Sequence, residues 1–372
     1  MIVQRLTAAC LLFALGTTVA GAQDLTKVKL TLDWKVQGPH AWFYLARDKG
    51  YFRAAGLDVT VDQGEGSATT VTRVLSGAYD AGFGDMNAVI QNAALRPGEQ
   101  PVMVYMIYNR SPFALITKAS SGISTLKDLE GKRLGVPAGS ATHRMLTPLA
   151  RRNGVNDAAI KVVNVAPNLV EQMLTQGDVD VIAAFAATTY MNLVAQRQDP
   201  EKDFRWFFYD EYGLDLYSNG VMVSQKLYKE KPEAVRGLVH AINKALIEVA
   251  ADPSAGMAVL QKVEPLLRPE IEQPRLLYFL EKQMITPETK ALGIGDIDDK
   301  RMTNAIATVA DAYGLTRKPE LSEVFDRSFL PPRAEREDAG EVSRATTACS
   351  EVIMTTRAEH ERFMAIAIEE AK

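Results

Sequence analysis

Cysteine is nearly absent: Cys10 and Cys349 are the only two in 372 residues. If the first residues are removed, Cys349 stands alone, which excludes an intramolecular disulfide and a Cys-rich metal site. Histidine is scarce as well, and His40, His143, His240 and His360 form no H-E-x-x-H or other metal-ligand spacing. The G-x-S-x-G, P-loop and G-x-G-x-x-G patterns are missing, and Gly64-Glu65-Gly66 is too short for a dinucleotide fingerprint. Nothing in the residues therefore argues for catalysis or a bound cofactor. The net charge of −4 is mild, with no basic block interleaved with aromatics, so no nucleic-acid partner is expected. After residue 22 no apolar stretch reaches the length of a membrane span.

What is present starts with Met1 to Arg5, an apolar run over residues 6–15, and small residues ending in Ala20-Gly21-Ala22. A basic start, a short apolar core and an A-x-A end form a secretory signal peptide over residues 1–22, which predicts a mature chain beginning near Gln23 in the periplasm. Cys10 follows Leu6-Thr7-Ala8-Ala9 and offers a lipoprotein alternative, but most of the apolar residues lie after it. A buried core helix is opposed by Arg5 and the small-residue exit.

At 47% hydrophobic content this length fits two domains better than one. From Val28 onward, short β-rich runs alternate with segments of helical period, the pattern of βαβ units and an α/β fold. The first block has strands over residues 28–32, 57–61, 81–83, 102–107 and 113–117, with helices over 39–55, 67–77 and 86–95. A second block repeats this logic, with strands over 133–136, 160–165, 179–183 and 206–209 and helices over 139–152, 169–176 and 189–197. One more strand, 220–223, precedes helices over 232–251, 254–263, 270–283 and 298–313. Helices without strands cannot form their own α/β domain, so this part should pack back onto the first block. The expected division is 23–115 for the first part of lobe 1, 116–220 for lobe 2, 221–332 for the helical return, and 333–372 for a charged C-terminal extension. Two interlobe crossings, near 112–118 and 217–224, would make a hinge. The extension reads as a solvated appendage.

Polar and Gly-rich residues cluster after the strands, where open α/β sheets place ligands. Asp33 and Trp34 follow the first strand, and His40 lies in the first turn of the next helix. Trp34 offers a flat face or a core aromatic; Asp33 offers an acceptor or a helix cap. Ser67, Ala68 and Thr69 open a helix whose free amides can hold an acceptor group, although Ser67 can equally be a plain cap. Asp85 and Asn87 follow the Gly82-Phe83-Gly84 strand, with capping again the alternative for Asp85. In the second block the matching positions are Ser140, Thr142 and Phe185, and Tyr212 belongs to a tyrosine cluster by the second crossing that packing alone could explain. As cleft residues, Asp33 and Asp85 are expected to be replaceable with little loss of stability.

Leu32-Asp33-Trp34 with His40, A-x-x-K/R-G-Y-F from Ala46 to Phe52, G-L-x-V from Gly56 to Val59, and G-x-x-D-x-G-F-G-D from Gly77 to Asp85 together resemble one family. It is that of the periplasmic binding proteins for thiamine pyrimidine precursors, with their nitrate, sulfonate and taurine relatives. D-L-x-G-K-R-L-G-V from Asp128 to Val136 and the Leu174 to Ala183 stretch, with its G-D-V-D-V core, extend the resemblance over roughly residues 27–320. The resemblance implies a two-lobed, Venus-flytrap fold, a small-molecule ligand in the cleft, and an ABC permease and ATPase as partners of a monomeric receptor without cofactor. The Asp33-Trp34 and His40 pattern leans to the pyrimidine branch, where a carboxylate accepts from an exocyclic amine and an aromatic face stacks on the ring. The family also contains a pyrimidine-synthesising branch with a cysteine-rich iron motif, which the lone Cys349 opposes. A sulfonate or nitrate ligand stays open through the helix starts at Ser67 and Ser140, as does an exported enzyme or sensor on the same fold.

Overall fold

The computed structural model describes residues 24–337. The signal-peptide reading, Cys10, Cys349 and most of the C-terminal extension lie outside them. Ten strands build two five-stranded sheets. In chain order they are β1 (Thr26–Thr31), β2 (Leu57–Asp62), β3 (Ala81–Asp85), β4 (Val102–Met106), β5 (Phe113–Lys118), β6 (Arg133–Val136), β7 (Lys161–Asn164), β8 (Val181–Phe185), β9 (Phe204–Phe208) and β10 (Asn219–Val223). The sheets run β2-β1-β3-β10-β4 and β7-β6-β8-β5-β9. In each, three parallel strands are followed by one antiparallel strand, β10 or β5, that arrives directly from a crossing between sheets. Alternation in β2 puts Leu57, Val59 and Val61 inside and Asp58 and Thr60 outside, while β3, β4 and β10, covered on both faces, are apolar or small nearly throughout.

The first helices of the helical return pack on the first lobe, while Asp299–Tyr313 also meets Leu146–Arg152 of the second. In the helix Pro232–Ala251, Val235, Leu238, Val239, Ile242, Leu246 and Val249 form one buried stripe, and Pro232 opens it where a missing N–H costs nothing. Each such side chain contributes about 1.5–3 kcal/mol on burial. The stripe meets Trp42, Phe43 and Leu45 of the helix Ala41–Asp48 in one core cluster. The helix expected over 39–55 is broken at Gly50, whose φ of 72° ends the first segment before Tyr51–Ala54 begins. The helix expected over 139–152 likewise divides at Met145 into Ala141–Arg144 and Leu146–Arg152.

The crossings lie one strand earlier than expected, over residues 107–112 and 209–218, because β5 belongs wholly to the second sheet and β10 to the first. An extended connector and a short buried strand have the same local preferences, so only pairing separates them. The two connectors run side by side: Tyr108 N–H donates to Asn219 O (2.7 Å) and Ser218 N–H to Tyr108 O (3.1 Å). At the far end the folded lobe continues past residue 332. The buried Arg336 guanidinium donates to the carbonyls of Pro331, Leu292 and Ile294 at 2.9, 3.2 and 3.1 Å.

Candidate functional site

The C-terminal ends of the parallel strands of both sheets face one another across a cleft. On the first lobe, the segment after β1 is zipped to the segment after β2, with Gly64 N–H donating to Trp34 O (2.9 Å) and Gly66 N–H to Asp33 O (2.7 Å). A Cβ on Gly64 would stand 2.0 Å from Leu32 O, so only glycine permits this approach, which turns Asp33 and Trp34 toward the second lobe. Between the lobes the cleft keeps a small free volume of about 70 Å³. Asp33, Trp34, His40, Ser67, Ser140, Thr142 and Phe185 line it, joined by Tyr108, Glu171, Asn192 and Phe279.

Asp33 is 5% exposed and held from two sides. Its Oδ1 lies 2.7 Å from His40 Nε2, and its Oδ2 accepts from Asn219 Nδ2 at 2.8 Å. The Gln37 N–H points at His40 Nδ1 (3.0 Å), so Nδ1 is the acceptor and the proton sits on Nε2, donating to Asp33. His40 thus orients the carboxylate, and each Asp33 oxygen keeps further acceptor capacity for the cavity. The expectation that Asp33 is a dispensable surface group is overturned by this burial.

Aromatic faces form the rest of the first wall. Tyr108 stacks on Phe279 with centroids 4.8 Å apart and planes at 23°, and meets Phe83 edge-on at 5.2 Å. Burial, with Asp33 nearby, pushes the Tyr108 hydroxyl well above its ordinary range and keeps it protonated. Across the cleft, Ser140 caps its helix by accepting from His143 N–H (3.3 Å). The buried Thr142 hydroxyl has no partner among the described residues. Glu171, also 5% exposed, adds a second carboxylate. No lysine or arginine is among the lining residues.

The lobes touch on both flanks of this cavity. On one, a Cβ on Gly66 would lie 2.5 Å from Gly139 O, and one on Gly139 1.8 Å from Thr69 Oγ1. On the other, Arg275 of the helix Pro269–Phe279 donates to Thr188 O (2.7 Å) and Asn192 Oδ1 (3.0 Å) of the helix Ala186–Ala195.

Five of the expected site residues stand elsewhere. Ala68 belongs to the core cluster that also holds Val71 and Met86, and Thr69 faces Gly139 at the lobe contact. Tyr212 packs on Phe207 (6.0 Å) in the second connector. Asp85 is fully buried and caps the helix Met86–Leu95, accepting from Ala88 N–H and Asn87 Nδ2, both at 3.0 Å. Asn87 reaches back to Tyr217 O (2.8 Å) rather than into the cavity. Polar residues after a buried strand look alike in sequence whether they cap or bind. Glu171, Asn192, Tyr108 and Phe279 were missed because they come from a helix start, a helix middle, a connector and the distant helical return, with no local motif to mark them.

Burial raises Asp85 from 3.8 to about 6, against the lowering effect of its Asn87 and Ala88 hydrogen bonds. The folded state therefore holds this proton more tightly than the unfolded state. Its stabilising contribution is complete below pH 3.8 and is lost as pH rises to about 6. Asp85→Asn keeps an oxygen for the Ala88 N–H cap, turns its NH2 toward Asn87, and removes the buried charge. Thermal melts of this variant are expected to lack that decline between pH 3.8 and about 6; an unchanged pH profile would contradict the assignment.

Residues 37–256 match the NMT1/THI5-like family. The chain is 25% identical over 201 residues to a Haemophilus influenzae protein named for thiamine biosynthesis, a match spanning 54% of this chain and 62%, under two thirds, of that one. It is 22% identical over 322 residues to the riboflavin-binding protein RibY of Chloroflexus aurantiacus, covering 82% of this chain and 87% of RibY. The 4-amino-5-hydroxymethyl-2-methylpyrimidine phosphate synthase THI13 of Saccharomyces cerevisiae is 24% identical over 236 residues, 61% of this chain and 68% of THI13. Among solved structures, the alkanesulfonate-binding protein SsuA of Xanthomonas axonopodis bound to MOPS superposes with a TM-score of 0.62 at 16% identity, covering 82% of this chain and 99% of SsuA. With two similarly ordered sheets, paired connectors and a cleft at the strand ends, the chain has the periplasmic-binding-protein fold and belongs to the NMT1/THI5-like family.

Proposed function

We propose that this protein is the substrate-binding component of an ABC importer: a monomeric, non-enzymatic periplasmic receptor without cofactor that delivers its ligand to a permease and ATPase in the inner membrane. Its ligand is a flat, amine-bearing heterocycle, a pyrimidine-like thiamine precursor or a close relative. The observation that carries this reading is the lining of the cavity, which combines Trp34, Tyr108, Phe185 and Phe279 with two carboxylates and no lysine or arginine. An anion there would face Asp33 and Glu171 where water screens little. An amine would instead donate charge-assisted hydrogen bonds to them, about twice as strong as neutral ones.

The receptor reading over an enzyme draws support from composition. Residues 24–337 contain no cysteine, so the iron motif implied for the synthase branch has no counterpart there. Among the described residues no group of three or more His, Cys, Asp or Glu could hold a metal. No helix among them is long and apolar enough to cross a membrane.

The test is titration calorimetry with 4-amino-5-hydroxymethyl-2-methylpyrimidine, preceded by thermal-shift screening, since a ligand bound only by the folded state raises the melting point. Trp34→Ala is expected to lose about 1–3 kcal/mol of binding, by analogy with bases stacked on aromatic side chains. Trp34 is only half-buried, so the melting point of the free variant should stay near that of the parent. Stabilisation by alkanesulfonates or nitrate in place of the pyrimidine would sink the heterocycle reading. The helix start at Ser67, which opens on the cavity, would then be the anion site.

A further inference from the structure

Glu171 divides its carboxylate between the protein and the cavity. Its Oε1 accepts from Thr189 Oγ1 (2.9 Å) and Asn192 Nδ2 (3.0 Å), while Oε2 has no partner among the described residues. The Asn192 amide is fixed at both ends, since its Oδ1 accepts from Arg275 Nη2 at 3.0 Å. Flipping it would set NH2 against guanidinium and oxygen against carboxylate. Arg275, 1% exposed, belongs to the other lobe, where Glu272 receives its Nε and Nη2 at 2.9 and 3.0 Å and also accepts Gly38 N–H at 2.8 Å. The Glu272–Arg275 pair lies within one helix and is complete without the second lobe. Only the bonds to Thr188 O and Asn192 require the lobes to meet.

We infer that Glu171 is the second lobe's recognition carboxylate and that Asn192 links it to Arg275, so that seating the ligand and latching the lobes form one hydrogen-bonded chain. This rests on the proposed function and narrows its ligand class. The compound carries two donor groups, one for Asp33 and one for Glu171, as the 4-amino and 5-hydroxymethyl groups of the pyrimidine supply, and no acidic group. A ligand with a single donor group satisfies one lobe only and gains nothing from the latch.

Glu171→Gln tests the recognition arm without disturbing its surroundings. The substituted amide keeps an oxygen for Thr189 and Asn192 and replaces the cavity-facing acceptor with a donor. Affinity for 4-amino-5-hydroxymethyl-2-methylpyrimidine, measured by calorimetry, should fall at least tenfold with the free protein's melting point preserved. Asn192→Ala tests the latch: release of the pyrimidine in stopped-flow should quicken at least tenfold, and small-angle scattering of the free protein should show a larger radius. If the parent binds the pyrimidine and Glu171→Gln binds it equally well, this inference fails while the proposed function stands. If the parent binds MOPS and not the pyrimidine, both fail. If the parent takes neither compound, the proposed ligand fails, and the scattering comparison, which needs no ligand, still decides the latch: an unchanged radius overturns it.

Discussion

Arg275→Met is expected to lower the free energy of unfolding by about 3–5 kcal/mol, because removing one partner of a buried ion pair leaves the other charge uncompensated. The Arg275 side chain is almost wholly inaccessible, and Glu272 would keep only the Gly38 N–H. The substitution removes two bonds to Glu272, one to Thr188 O and one to Asn192 Oδ1. A domain of ordinary stability has only about 5–15 kcal/mol in total, so urea titration should show a plain shift of midpoint. Arg275→Lys retains a charge for Glu272 without the planar fork and should fall between the two. Replacing both members, with Glu272→Gln alongside Arg275→Met, removes the stranded charge and should recover part of the loss. A Met variant within about 1 kcal/mol of the parent, the worth of one ordinary hydrogen bond, would show that the pair is dispensable.

The second large effect is expected at Asp33. Asp33→Ala removes the acceptor of two buried donors, His40 Nε2–H and Asn219 Nδ2–H, each costing about 1–3 kcal/mol when left unpaired. Binding of the pyrimidine should become undetectable by calorimetry, since the same oxygens face the cavity. Asp33→Asn is not a benign control. One side of its amide would present NH2 to either His40 or Asn219, and His40 cannot switch tautomer to accept it without turning an Nδ1–H against the Gln37 N–H. Both variants should therefore lose stability as well as affinity. Asp33→Asn with parental stability and parental binding would remove Asp33 from the site.

Much of the architecture was readable from local pattern. Strand periods, the helical stripe of Pro232–Ala251 and the two α/β sheets all follow from hydrophobic spacing, which burial enforces. Boundaries were less readable. The break at Gly50 depends on a left-handed backbone that glycine permits but does not compel, and the connectors were mistaken for their neighbouring strands because extended chain is extended in either role.

The site divides along the same line. The cavity-lining residues after β1, β2 and β6 and at the end of β8 were identifiable because a parallel strand delivers its C-terminal end to the cleft whatever the rest of the chain does. Sequence therefore determined the fold class, the strand-end positions of Asp33, Trp34, His40, Ser67, Ser140, Thr142 and Phe185, and the lack of cysteine throughout residues 24–337. Only the tertiary structure decided that Asp85 and Asn87 serve a helix start while Glu171 accepts from Asn192, whose oxygen meets Arg275 across the cleft. Asn192 and Arg275 stand 83 positions apart, and Asn87 and the Tyr217 carbonyl 130. Proximity of single polar side chains over such separations leaves no period, cap or turn signal in the chain that makes it.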